Sequence, residues 1–178
     1  MRLWCVAGLL LFIFIVLGPA PQEPHAAIIP VAAGGRTAAI LSLPYRVPTA
    51  QVKSALEVTA LNLLNRERMA AGLPALMPHA GIRAAARGHG KELFANGYLS
   101  HRSRDGRWPD QRVKGLGVRV SVVGENLAYA GDVREAHQTL VASAAHRKNM
   151  LSPRYRRTGI AVLDGGAFGV IVVQDFSD

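Results

Sequence analysis

From residue 49 onward the apolar positions change period several times, and each change marks an element. Val52, Leu56, Leu63 and Met69 recur at roughly helical spacing, with Ala55 and Ala60 as small fillers and Asn62, Asn65, Arg66 and Arg68 as polar positions. The pattern predicts a helix that Thr49 begins after Pro48 and Gly72 ends. A second helix is predicted from about His79 to Asn96, closed by Gly97, with Ile82, Ala85, Ala86, His89 and Leu93 on one face. His89 lies on that apolar face and reads as a packed core histidine, with a cavity role as the alternative. Pro109 starts a short helix up to Lys114, and Gly115-Leu116-Gly117 breaks it.

Val118, Val120 and Val122 then alternate with Arg119 and Ser121, the period of a half-buried strand. Asp132 is a good cap for a third long helix to about Ala142, with Val133, Ala136, Leu140 and Val141 inward. Thr158 to Leu163 and Phe168 to Phe176 read as the two arms of a hairpin around Gly165-Gly166. The order helix, helix, strand, helix, strand, strand disfavours a doubly wound parallel sheet. It predicts an α+β layered domain, with a core of ~130 residues large enough to fold without disulfides.

The chain before this domain has a different character. Arg2 precedes an apolar run from Leu3 to Leu17 and then Gly18-Pro19-Ala20, the layout of a secretory signal over residues 1–20. The run is short beside the ~20 residues of a membrane span. Cleavage is therefore expected, after Ala20, Ala27 or Ala33, and a retained signal anchor is the alternative. Residues 21–48 are rich in Pro, Ala and Gly and read as a linker to a domain over 49–178.

Cys5 is the only cysteine and lies inside the signal, so an exported chain would carry neither thiol nor disulfide. The formal net charge is +9, with local runs at Arg102, Arg104 and Arg107 and at Arg154, Arg156 and Arg157. A solvated basic surface is the plain reading, and anionic envelope polymers or lipid headgroups are the partners it suits. No nucleic-acid motif or aromatic interleaving accompanies the basic runs, so nucleic acid is not expected. Membrane contact is expected only if the N-terminal segment is retained.

Three segments carry candidate chemistry: Tyr98 to His101, Gly124 to Ala128, and Ser143 to Leu151. Each lies at the end of a predicted element. His101, Glu125 and His146 offer the donors of an open zinc site, or an acid/base pair with an orienting carboxylate. Their spacing does not choose between the two. Asn126 reads as an anchor for loop amides, Arg147 as a brace for the chain turn, and Asn149 as a turn former. His25, His79 and His137 are expected at the surface.

The chain from about Ser54 to Phe176 resembles the CAP superfamily, the cysteine-rich secretory, antigen 5 and pathogenesis-related 1 domain also called SCP. The matching segments run in order. They are Leu64 to Arg68 with Gly72 to Leu76, Ala86-Arg87, Ser100-His101 with Asp105-Gly106, Gly124-Glu125-Asn126, Ser143 with His146 to Leu151, Gly159-Ile160 and Gln174-Asp175-Phe176. The likeness is greatest to the exported, cysteine-free bacterial branch. It implies a three-layer α-β-α sandwich with a mainly antiparallel central sheet and a cleft where His101, Glu125 and His146 meet. It also implies that His101 and His146 bind a divalent cation such as zinc, with Glu125 as the neighbouring acid and no organic cofactor. Ser143 stands where many eukaryotic members have a second glutamate, and a hydroxyl has little metal affinity.

Three functions follow as expectations. The first is an exported or envelope-anchored binding module for a lipid, protein or envelope component. The second is a metal-dependent, peptidase-like hydrolase with His101, Glu125 and His146 as catalytic candidates. The third is an adhesive envelope protein that uses its basic surface.

Overall fold

The computed structural model describes residues 26–28 and 39–178. The expected signal, its exit and His25 lie outside the described residues.

Three strands make the centre: β6 (Val123–Ala130), β7 (Arg157–Asp164) and β8 (Val170–Ser177). β8 lies between the other two and is antiparallel to both over all eight residues. Short strands border them. β1 (Ala27–Ile28) pairs with β6, while β3 (Gln51–Val52) and β4 (Met77–Pro78) share the outer side of β7. Apart from the parallel β4 contact the sheet is antiparallel, as expected. A separate ribbon joins β2 (Leu41–Ser42) to β5 (Tyr98–Leu99).

Helices cover both faces. α2 (Ala80–Asn96) packs Ala86, Leu93 and Phe94 against Leu127, Ala161 and Val173. α1 (Ser54–Ala70), α4 (Val133–Ala142) and α5 (Ala144–Met150) pack Leu64, Leu140 and Met150 against Ala128, Val162 and Val172. Odd-numbered residues of β6 thus face α2 and even-numbered ones face the three-helix layer, the period-two consequence of a pleated strand. The layers form the expected α-β-α sandwich. α3 (Pro109–Gly115) leans on α2 through Val113.

The second helix and its apolar face match the sequence pattern. Ile82, Ala85, Ala86, His89 and Leu93 are all buried, and Gly97 closes the helix at φ 68°. Asp132 caps α4 by accepting from the amides of Arg134 and Glu135. Elsewhere the structure corrects the pattern. α1 begins at Ser54, after Gln51 and Val52 have paired with β7, so Thr49 is no cap. Its buried stripe is Glu57, Ala60, Leu64 and Arg68, while Met69 is exposed. Two charged residues lie inside because each is paired: Glu57 takes a forked Arg87 at 2.8 and 2.6 Å, and Arg68 is bound by carbonyls.

Val118 to Val122 form no strand. Val118 packs on Ile82, Ala85 and Val113, and the amides of Ser121 and Val122 are bound by the Asp178 carboxylate at 3.0 and 3.1 Å. Amides held by a carboxylate have no ladder to join. The strand starts instead at Val123, so Glu125 and Asn126 lie within it rather than after it. The segment expected as linker also joins the fold: Val47 is buried, and its amide donates to Phe94 O at 2.7 Å.

Arg68 is fully buried, and among the described residues no carboxylate pairs with it. It donates to the carbonyls of Pro74 (3.0 Å), Met150 (2.7 Å) and Ser152 (3.0 Å), tying the end of α1 to the chain leaving α5. A lysine has no planar fork to reach them together. Arg68→Lys is therefore expected to lower stability by about 2–4 kcal/mol in urea unfolding. A change under about 0.5 kcal/mol would mean that the tether is dispensable. Gly159 lies against the backbone of Ile82 and Arg83, where an added Cβ would collide with main-chain atoms that cannot turn aside. Gly159→Ala should cost at least ~2 kcal/mol in the same assay.

Candidate functional site

The outer edge of β6 is paired only at Ala128 and Tyr129, so among the described residues its first half, from Val123 to Leu127, has no strand beside it. Glu125 and Asn126 occupy that open half. As neighbours in a strand they point to opposite faces, and each organises one side of the site.

On the α2 side, Glu125 is buried and receives two partners. His101, just beyond β5 and Ser100, places Nδ1 2.8 Å from Oε1. Arg112, from α3, donates through Nη2 to Oε2. Burial pushes the Glu125 carboxyl up, but the Arg112 guanidinium, with His89 and His101, overrides it and holds the value down at about 2. An ionised carboxylate can only accept, so His101 Nδ1 carries the proton and donates. In the neutral ring Nε2 then presents a lone pair. That atom is buried and has no hydrogen-bond partner among the described residues, a rare condition that calls for an explanation.

Arg112 is more than a counter-ion. Its Nη1 donates to the carbonyls of His101 (2.9 Å) and Arg107 (3.2 Å), so one guanidinium fixes both the acid and the backbone that bears the histidine. His89 braces the same loop from below. Its Nε2 lies 2.8 Å from Ser100 O. A carbonyl only accepts, so Nε2 carries a proton, and Nδ1 lies 3.2 Å from Ser103 Oγ and 3.5 Å from Glu92 Oε2. The core reading of His89 holds, with the added role of holding the His101 loop.

On the other face, Asn126 donates to the carbonyl of His146 and to Gln174 Oε1, both at 3.2 Å. Asn149 returns two bonds, donating to Glu125 O (3.3 Å) and Asn126 Oδ1 (3.1 Å). It is an anchor to the strand rather than a turn former. His146 is buried in α5, and its Nδ1 is hydrogen-bonded to Ser143 Oγ at 2.7 Å. Ser143 marks the break between α4 and α5, with extended backbone at φ −82° and ψ 117°. The helix predicted to about Ala142 ends there, and a short second one restarts after Ser143 and carries His146.

The structure thus joins His101 directly to Glu125 and brings His146 to the same strand one residue on, through its carbonyl. Among the described residues, no three or more His, Cys, Asp or Glu side chains are grouped to hold a metal ion. Arg147 is exposed, whereas His137, expected at the surface, is buried 3.6 Å from Glu67. It lies inside because α4 turns that side towards α1.

Two members of the site escaped the sequence reading. Arg112 belongs to no motif or basic run of the sequence, although its place three residues after Pro109 puts it in a helix beginning just past the His101 loop. Asp175 is directly opposite both Glu125 and Gly159 in the ladder. It is fully buried. Burial and the adjacent Glu125 charge drive its carboxyl well above the usual range. Its signal was its place in Gln174-Asp175-Phe176, as the one charged residue of its strand.

Comparison with known proteins agrees with this architecture. The sequence pattern described as "Cysteine-rich secretory protein family" (CAP) matches residues 61–176. Uncharacterized protein YkwD of Bacillus subtilis (strain 168) is 28% identical over 115 residues, which cover 64% of this chain and 45% of that protein. Among solved structures, an extracellular SCP-domain protein of Bacillus anthracis is 27% identical with a TM-score of 0.63, over 70% of this chain and 41% of that one. An outer surface protein of Borrelia burgdorferi, 16% identical with a TM-score of 0.68 over 73% of this chain and 98% of that one, shares the fold. The chain spans less than half the length of the two Bacillus proteins. With the family pattern matched over residues 61–176 and the α-β-α sandwich that the resemblance implies, this chain belongs to the CAP family.

Proposed function

We propose that the chain is an exported binding module whose ligand is received at His101 Nε2, on the open edge of β6. The observation that carries this reading is the unpartnered, buried Nε2. It is fixed in place by an ionised Glu125 that Arg112 in turn holds. A group kept oriented and unsatisfied at such cost is prepared for something that arrives. Extracellular and outer-surface proteins of the same fold support export, and no described helix is long and apolar enough to cross a membrane.

A divalent cation such as zinc fits part of this arrangement. A carboxylate-oriented histidine is the usual form of a zinc-binding imidazole. His101 would be the first ligand and His146 the second candidate, with water and the bound ligand completing the shell. When bound, the ion would polarise an oxygen of that ligand. No organic cofactor is proposed. Anionic envelope polymer or lipid remains the partner class, because exposed Arg102, Arg104 and Arg107 lie on the loop that carries His101.

Hydrolysis ranks second. The His101–Glu125 dyad has the form of an oriented general base. However, Ser103 Oγ is bonded to His89, and Ser100 Oγ accepts from the Arg102 amide at 3.2 Å. Among the described residues no hydroxyl is joined to His101, so water is the nucleophile this reading would use. Adhesion through the basic surface alone would leave the unsatisfied nitrogen unexplained.

Calorimetric titration of the full chain with zinc tests the cation. One ion should bind, with affinity at least tenfold lower in His101→Ala and none measurable in the His101→Ala/His146→Ala double variant. Equal binding by all three would remove the cation from the proposal. A second test addresses the dyad. Because the folded Glu125 value is depressed, its contribution, on the order of 3 kcal/mol, is complete above the unfolded value near pH ~4.5 and lost as pH falls towards ~2. Glu125→Gln should lower stability at pH 7 by about 3 kcal/mol, since Arg112 is left buried without its partner. It should also flatten the fall in melting temperature between pH 5 and 2. An unchanged acid profile would show that the pair does not hold His101 as described.

A further inference from the structure

On the far side of the sheet, β7 has a gap in its outer edge. β4 pairs with it at Arg157 and Thr158, and β3 at Leu163 and Asp164, leaving the residues between without a neighbouring strand. Thr158 O accepts from the His79 amide at 2.8 Å and Val162 O from the Lys53 amide at 3.0 Å, so both carbonyls point outward. The period of a strand sends the amide and carbonyl of Ile160 the same way. Neither has a partner among the described residues. A buried strand seldom leaves such a pair unmatched.

In front of Ile160 is a cavity of about 420 Å³ between α1 and α2. Val58 and Leu61 give it an apolar wall, and Glu57, Arg83 and Arg87 supply its charge. Glu57 is already matched by the forked Arg87. The Arg83 guanidinium is exposed and has no partner among the described residues. The lining therefore offers one uncommitted positive charge, one free pair of backbone groups and an apolar wall. Val58 and nearby Met77 are exposed at 57% and 70%, a further apolar surface beside the opening.

We propose that this gap binds the carboxyl-terminal end of a peptide with apolar final residues. The N–H of the peptide's penultimate residue donates to Ile160 O and its C=O accepts from Ile160 N, the terminal carboxylate meets Arg83, and an apolar side chain covers Val58 and Leu61. A chain end is the occupant that fits, because β3 and β4 block any longer strand at both sides. An acyl chain would satisfy Arg83 but leave Ile160 unmatched. The site shares no residue with the His101 centre and stands whether or not that centre binds a metal.

The test is fluorescence anisotropy on the full chain with fluorescein-labelled pentapeptides ending in Val-Leu, Leu-Ala or Phe-Val. At least one free acid should bind saturably, and its carboxamide at least tenfold more weakly. Arg83→Gln, a change at an exposed and unpaired side chain, should bring the acid down to the level of the amide. Val58→Glu should weaken both forms, and decanoate should not displace the peptide. Absence of binding, equal binding of acid and amide, or indifference to Arg83→Gln would overturn the proposal. Displacement by decanoate at matching concentration would also overturn it and identify an amphiphile site instead.

Discussion

The alternation of a single strand sets the terms for everything around the His101 centre. Because Glu125 and Asn126 are consecutive in β6, one must enter the α2 layer and the other the opposite layer. A buried carboxylate on one side needs Arg112, and Arg112 in turn holds the backbone of His101. A buried amide on the other side needs the carbonyl of His146 and the side chain of Asn149. The two layers are thus brought into register by polar bonds to adjacent residues, at the opposite side of the sheet from the Arg87–Glu57 pair that also joins them. Moving the register of β6 by one position would exchange the two side chains between faces and dissolve both networks at once.

The ionic side of this arrangement depends on sharing. Glu125, Arg112 and Asp175 lie within a small volume, and the two acids are driven in opposite directions. The Arg112 guanidinium overrides burial and holds the Glu125 carboxyl down. At Asp175 burial and the Glu125 charge outweigh the same guanidinium and push the carboxyl up.

Much of the fold was legible where a single rule governed. The α2 stripe, the Asp132 cap, the Gly97 close and the final hairpin follow from spacing and caps alone. What was illegible had two causes. Val118 to Val122 alternates like a strand, but the alternation serves packing on α2, and Asp178 occupies its amides. Arg68 read only as a polar position of α1 and nothing marked Glu57 for the interior, because the bonds that let a charge go inside depend on residues far away in sequence. The site divides in the same way. His101, Glu125, Asn126 and His146 stood out as polar residues at element ends, and family resemblance joined them. Arg112 and Asp175 emerged only once α3 and β8 had been set beside β6.

Arg68 has a consequence of another kind. Every partner of its guanidinium named above is a main-chain oxygen, which any amino acid provides. The exposed positions of the stretch that follows α5, Pro153 and Arg154, can therefore exchange their side chains over generations without loosening the clamp, provided that the path of the chain is kept. Drift would be visible in that loop and constraint in the arginine, and a residue that recognises no particular neighbour would be the one that tolerates no replacement.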